Sequence, residues 1–293
     1  MLLPGVRDLN WYVEFRDVIY LFHMCFFIFL SGFLIGYTSL PKYTKPQYFK
    51  LIKKKIIKFV PPYLLFSFLF LVLENTFGVG KWSNYLSDIF KMGFYPSQSP
   101  AGFLWYLYVI LFFYIITPII NYVSKKKYEW VILVSLMVYF IDLPRIFALE
   151  QIGEYFLFFA IGLYFSQNYT KIFSLISKMG YLFIPLFALF IFFRHHIVYP
   201  KLILGLTSIP TLMFLALKLK NNSLFQYLGK YSFQIYLMNS IIIGTIATIL
   251  FKFFNFTPNI FGLILLLTLG LLLPIVLYKF IIKKNDFLNK IIN

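Results

Sequence analysis

Long uninterrupted apolar segments run through this sequence and restrict its fold more than any other feature. Many approach the 20 or so residues that a helix needs to cross the hydrocarbon core of a bilayer. The chain is 61% hydrophobic and only 13% charged, whereas a soluble domain is roughly 45–50% apolar and about 25% charged. Because the apolar residues are continuous rather than alternating, the pattern favours membrane helices over the strands of a barrel.

We therefore predict an all-α, polytopic transmembrane bundle of about nine spans, with residues 1–293 forming one membrane domain. The lipid bilayer is its first expected partner. The predicted spans are Val18–Tyr37, Phe59–Phe77, Phe103–Tyr122, Trp130–Asp142, Glu154–Ser166, Tyr181–Phe193, Lys201–Leu217, Ser232–Phe251 and Asn259–Tyr278. Gly32 and Gly36 form a GxxxG pair that allows close helix contact, and Pro61-Pro62 is expected to open the second span.

The formal charge of +17 is concentrated in short connectors between the apolar segments. Most of the 27 lysines and arginines follow odd-numbered spans or lie in the C-terminal tail. The positive-inside rule then predicts a cytoplasmic C-terminus and an N-terminus on the opposite side. This distribution is that of a multi-pass protein of a bacterial inner membrane and argues against nucleic acid as a partner.

His23 is the first candidate for chemistry because it lies inside an otherwise apolar span. An ionisable side chain at that depth is costly and indicates a functional site. Its neutral imidazole can serve as a general base near pH 7. The alternative is a structural histidine bonded to a neighbouring helix. His195 and His196, at the end of the sixth span, are expected in a solvated loop.

A lysine-rich segment, Lys50–Lys58, precedes the second span. Helical spacing puts Lys54, Lys55 and Lys58 on one face. Such a cluster can hold an anionic headgroup or the phosphates of a nucleotide-bearing molecule. A topology anchor that binds no ligand explains the same residues equally well.

The remaining signals favour ordinary membrane-protein roles. Trp105 and its tyrosine neighbours fit an interfacial aromatic belt, and Asp142 and Arg145 are spaced to pair with each other. The single cysteine, Cys25, is expected to be a small buried hydrophobe. No phosphate-binding loop, metal cluster or serine nucleophile motif is present in the sequence, so we expect no metal site and no tightly bound cofactor.

Four segments, in this order, resemble the acyltransferase 3 family of bacterial membrane proteins. They are FHMCFFIFLSGFL (Phe22–Leu34), KKxxKFVPPY (Lys54–Tyr63), LWYLY with YxxxP (Leu104–Pro118) and LGKYSFQIYLMN (Leu228–Asn239). Each is degenerate alone, but together they cover most of the chain and are fairly specific.

The resemblance implies a domain of about ten helices that transfers an acyl group, often acetyl, from an acyl-CoA donor to a hydroxyl of a lipid-linked or surface glycan. It assigns Lys54, Lys55 and Lys58 to acyl-CoA binding. It places His23, Trp105 and Tyr236 on motif positions facing the core, with His23 as the catalytic candidate. Asn239 stands where many relatives have histidine, and it keeps a hydrogen-bonding side chain.

A second departure concerns the family's Arg/Lys-x10-His motif. Eleven residues before the three histidines stand Tyr12, Ile184 and Pro185, so the motif is absent. Together with nine spans and an outside start, this predicts that the family's first helix is missing. Two alternatives to O-acyl transfer therefore stay open, namely a component of a polysaccharide exporter or flippase, and an inactive truncated relative.

Overall fold

A computed structural model describes residues 10–38, 45–77, 85–250 and 260–292. Within these ranges all regular elements are helical, which confirms the predicted all-α polytopic bundle. Phe251 and Asn259, which end and begin two predicted spans, lie outside the described residues, as does the first part of the predicted loop over residues 78–102. The helices are α1 (Asn10–Thr38), α2 (Lys45–Phe77), α3 (Tyr85–Phe94), α4 (Trp105–Ser124), α5 (Tyr128–Tyr139), α6 (Leu149–Gln167), α7 (Tyr169–Phe192), α8 (Pro200–Leu219), α9 (Ser223–Lys230), α10 (Ser232–Thr248), α11 (Ile260–Phe280) and α12 (Asp286–Ile292).

Seven of the described helices are long and apolar enough to cross a membrane. The fourth and eighth predicted spans are also helical, but α5 has 12 residues and α10 has 17. At 1.5 Å per residue, α5 rises only about 18 Å, which is well short of a hydrocarbon core of about 30 Å.

Helix α2 differs from the expectation at its N-terminal end. It begins at Lys45, so Pro61 and Pro62 lie inside the helix rather than at its first turn. The prediction failed because hydropathy marks where a chain becomes apolar, whereas this helix already includes the lysine-rich segment before the prolines.

Two clusters of buried side chains form the interior, and α4 contributes to both. The larger cluster joins α1, α5, α6, α7 and α8 and takes Val109, Ile110 and Phe113 from α4. The second joins α2, α10, α11 and α12 and takes Leu107 from α4 and Leu104 from the short turn just before it. Helix α4 thus forms a seam between two packed halves.

Close packing of α1 against α6 depends on glycines. A methyl group at Gly32 would meet the backbone carbonyl of Phe159, and one at Gly162 would meet the backbone of Phe29 and Phe33. Gly36 lies against the side chain of Ser166. The close contact predicted from the Gly32/Gly36 pair is confirmed.

Candidate functional site

Two of the three predicted donor-binding lysines are half-buried against aromatic rings. The Nζ of Lys55 lies 4.5 Å from the ring centre of Tyr114 on α4, and the Nζ of Lys58 lies 5.4 Å from that of Phe233 on α10. Phe59 packs between them, with its ring centre 6.1 Å from Tyr114 and 6.2 Å from Phe233. We name Lys55, Lys58, Phe59, Tyr114 and Phe233 the basic-aromatic cluster.

The cluster follows from helical spacing, because residues 55, 58 and 59 share the face of α2 that meets α4 and α10. Lys54, four residues before Lys58, lies at the edge of this face and stays exposed. Within the described part of the chain, neither Lys55 nor Lys58 forms an ion pair with a carboxylate. Two positive charges are therefore held together at low exposure, which favours an anion between them.

Near the start of α4, before Tyr114, hydroxyl groups form hydrogen bonds that join the two halves of the bundle. The Oη of Tyr106 lies 2.7 Å from the Oγ of Ser31 on α1. Because Ser31 already donates to the carbonyl of Phe27, Tyr106 is the donor in this pair. On the other flank, the Oη of Tyr236 donates to the carbonyl of Phe103 at 2.9 Å.

Trp105, Tyr236 and Asn239, the predicted core residues, lie in different surroundings. The ring of Trp105 stacks on that of Tyr155 at 5.1 Å, on the α6 side of the seam. The ring of Tyr236 meets that of Tyr106 at 5.7 Å. Asn239, about one turn after Tyr236 in α10, is half-buried, and its Oδ1 accepts a hydrogen bond from the hydroxyl of Ser240. Trp105, the first residue of α4, therefore faces α6, whereas Tyr236 lies on the α10 side of the start of α4.

His23 makes its described hydrogen bond within its own helix rather than to a neighbouring one. Its Nδ1 lies 2.8 Å from the carbonyl oxygen of Ile19. A carbonyl only accepts, so Nδ1 carries the hydrogen of the neutral imidazole and Nε2 is left unprotonated. The half-buried ring therefore offers one basic nitrogen.

An ion pair near His23 was not anticipated from the sequence. The Nζ of Lys201, at the start of α8, lies 2.5 Å from the Oε1 of Glu154 on α6. The same Nζ lies 4.4 Å from the ring centre of Tyr155, the residue that stacks on Trp105. Gly205, one turn after Lys201, lies against the Sγ of Cys25, two residues after His23, so the ion pair is near the imidazole.

A sequence signal for this pair existed. Glu154 and Lys201 each begin a predicted span, and alternating topology puts both starts on the same side of the membrane. Opposite charges at one level of a low-dielectric bundle are expected to pair, but only the contact between α6, α8 and α1 brings the pair to His23.

The loop pair between the fourth and fifth spans was predicted wrongly. Arg145 binds Glu150, with its Nε 3.2 Å from Oε2, instead of Asp142. The chain turns back through a short 3₁₀ segment, Ile146–Ala148, and this brings Glu150 to the arginine. His195 and His196 lie exposed on another short turn, Arg194–His196, as expected.

The basic-aromatic cluster and His23 occupy opposite parts of the bundle. On α4, Phe113 precedes Tyr114, and its ring stacks on that of Phe159 at 4.3 Å. Phe159 lies against Gly32, which is nine residues after His23 on α1. The separation between the lysines and the imidazole is therefore on the order of 15 Å along the bundle axis.

Comparison with protein families gives a match over almost the whole chain. The acyltransferase 3 family model, described as an acyltransferase domain, matches residues 2–279. The chain belongs to the acyltransferase 3 family. Membership in this family supports an acyltransferase embedded in a membrane. Searches among curated proteins and among solved structures returned no match.

Proposed function

We propose that this acyltransferase moves an acyl group, in particular acetyl, from an acyl-CoA to a hydroxyl of a lipid-linked or surface carbohydrate. The basic-aromatic cluster is the observation that carries the proposal. Lys55 and Lys58 are held half-buried on rings from two other helices, without a described carboxylate partner. A mere topology anchor requires no such packing, whereas the phosphates of a CoA would neutralise both charges.

In the proposed reaction, the basic-aromatic cluster binds the donor and His23 accepts a proton from the acceptor. The acceptor oxygen attacks the thioester carbonyl, and its proton passes to the free Nε2 of His23. As the new ester bond forms, the carbon–sulfur bond breaks and CoA leaves as a thiolate that takes up a proton. The hydrogen-bonded hydroxyls of Ser31 and Tyr106 lie between the basic-aromatic cluster and His23.

Trp105 and Tyr236 fit a role in shaping the acceptor site. The ring of Trp105, at the start of α4, packs on Tyr155, and the ring of Tyr236 packs on Tyr106. Flat aromatic faces are suited to the apolar faces of sugar rings, and the amide of Asn239 adds a donor and an acceptor one turn away.

The test is transfer from labelled acetyl-CoA in membranes that contain the full chain and the glycan of its own host. We expect labelled surface glycan. Replacing Lys55 and Lys58 together by glutamine should lower the rate roughly tenfold at limiting donor, because each lost charge–phosphate contact weakens binding. Lys54→Gln is the matched control, since it removes an exposed lysine next to the cluster.

Absence of label in the glycan with the unmodified chain would overturn the proposal. A fall in surface glycan on deletion of the gene, with no acetyl transfer, would instead favour the exporter alternative.

A further inference from the structure

A second basic cleft lies at the junction of α9, α10 and α11. It has a volume of about 410 Å³ and is lined by Lys230, Tyr231, Gln234, Tyr278, Lys279 and Lys283, together with one phenylalanine. It is separate from the basic-aromatic cluster, although Phe233, whose ring lies under the ammonium group of Lys58, directly precedes Gln234 in the chain.

Two of the three lysines lie close to the ring of Tyr231. The Nζ atoms of Lys230 and Lys279 lie 5.8 Å and 5.3 Å from the ring centre of Tyr231. Lys279 also donates a hydrogen bond to the Oη of Tyr227 at 2.8 Å. In the part of the chain that the structure describes, no carboxylate forms an ion pair with Lys230, Lys279 or Lys283, and this includes Asp286, the nearest acid in the sequence.

Gln234 provides an independent sign that a ligand belongs in the cleft. Its side chain is only 7% exposed, and its Oε1 is buried without a hydrogen-bond partner. An unpaired buried amide oxygen is unfavourable and uncommon in folded proteins. A ligand with a hydroxyl or amino group would satisfy this oxygen, while the amide nitrogen of the same side chain can donate to an anion.

The backbone adds to the positive character of the cleft. Gln234 lies in the first turn of α10, a helix of 17 residues whose N-terminal end has no side-chain cap and no acidic residue in its first turn. Free amide hydrogens and the helix dipole favour an anion at such an end. The lysines, the helix end and the buried amide all point to the same kind of ligand.

We infer that this cleft binds a phosphate ester that also carries a hydroxyl or amino group. Two sources have this chemistry, namely the headgroup of an anionic phospholipid and the nucleotide part of coenzyme A. Binding here does not require that the chain transfer acyl groups.

The experiment measures binding to the full chain in nanodiscs of phosphatidylcholine. One arm titrates radiolabelled coenzyme A. The other adds phosphatidylglycerol to the nanodiscs and counts the molecules retained on the protein by native mass spectrometry. The variant Lys279→Gln/Lys283→Gln is compared with Lys284→Gln/Lys290→Gln, which removes the same charge from two exposed lysines outside the cleft.

We expect the cleft variant to bind one of the two probes roughly tenfold more weakly, and the control variant to differ from the unmodified chain by less than about twofold. Loss in the coenzyme A arm identifies the nucleotide as the ligand, and loss in the lipid arm identifies the headgroup. Equal binding by the cleft and control variants in both arms would overturn the site.

Gln234→Leu tests the buried amide while leaving every charge in place. It should weaken the same probe several-fold and leave the elution profile on size exclusion unchanged. Unaltered affinity in this variant would refute the role of the amide. Because binding is read without turnover, absence of acetyl transfer would count against the proposed function and leave this inference standing.

Discussion

The imidazole of His23 has one nitrogen engaged by its own helix and one available for chemistry. The bond to the carbonyl of Ile19 fixes the ring and leaves Nε2 as the basic atom. The nearby charge of Lys201 is balanced by Glu154 at 2.5 Å. This ion pair limits the direct repulsion that a lone ammonium would exert on an imidazole taking up a proton.

His23→Ala should therefore lower the rate of acyl transfer at least about a hundredfold, the usual contribution of a general base. His195→Ala is the control, because that side chain is exposed on the turn between α7 and α8. Initial rates with saturating donor measure the effect. A rate for His23→Ala within about twofold of the unmodified chain would exclude the imidazole as the base.

At this scale the sequence predicted individual candidates but not their neighbours. His23 was found because an ionisable residue within an apolar segment is conspicuous, and Lys55 because of its cluster. Glu154 and Lys201 were missed because each begins a predicted span, where a charge is ordinary. Their relation to His23 depends on which helices touch, and hydropathy contains no such information.

At the scale of the element, the contact between α1 and α6 is built on backbone proximity. A Cβ at Gly32 would lie 3.1 Å and 3.2 Å from the carbonyl carbon and Cα of Phe159, and closer still to the carbonyl oxygen. Backbone atoms cannot rotate away as a side chain can, so the helices would have to separate.

Gly32→Ala should consequently destabilise the protein by about 1–3 kcal/mol, the usual cost of overpacking. Gly229→Ala is a matched control, since that glycine is also helical and has open space where the Cβ would go. Thermal unfolding midpoints of the purified variants in detergent compare the two. A midpoint for Gly32→Ala equal to that of Gly229→Ala would contradict this account of the packing.

Helix positions were largely predictable, whereas helix ends were not. Apolar runs located α4 and α11 because burial in lipid requires them, but the predicted span Tyr181–Phe193 covers only the second half of α7, which begins at Tyr169. The start of α2 was misplaced because its first turns are lysine-rich, and hydropathy does not report a helix outside the apolar region. Helices α9 and α12 were not predicted because they are short, with 8 and 7 residues.

At the scale of the whole molecule, topology is the property on which both sites depend. Alternating spans and the lysine distribution predict that the turn between α7 and α8 faces outward and that the end of α4 faces the cytoplasm. Val198 and Tyr122 lie in these two regions and are 83% and 87% exposed.

Val198→Cys should react with a membrane-impermeant maleimide on intact cells, and Tyr122→Cys only after the membrane is permeabilised. The native Cys25 is fully buried and serves as an unlabelled background. Labelling of Tyr122→Cys on intact cells with protection of Val198→Cys would reverse the orientation and move the lysine clusters to the other side.

The arrangement of helices into two halves was beyond sequence reasoning. Helix α4 supplies residues to both buried clusters, and nothing in its apolar pattern distinguishes one face from the other. The seam arises from shape complementarity between side chains of distant segments.

The distance between the basic-aromatic cluster and His23 has a consequence for metabolism. A donor anchored by its phosphates at the cluster would deliver its acyl group on the order of 15 Å away, which is about half of a hydrocarbon core of about 30 Å. Coenzyme A would then be released on the side of the basic-aromatic cluster, and the modified sugar on the side of His23. Under the proposed function, an acyl-CoA from the cytosol would modify a sugar outside the cell, and neither large polar substrate would have to cross the lipid.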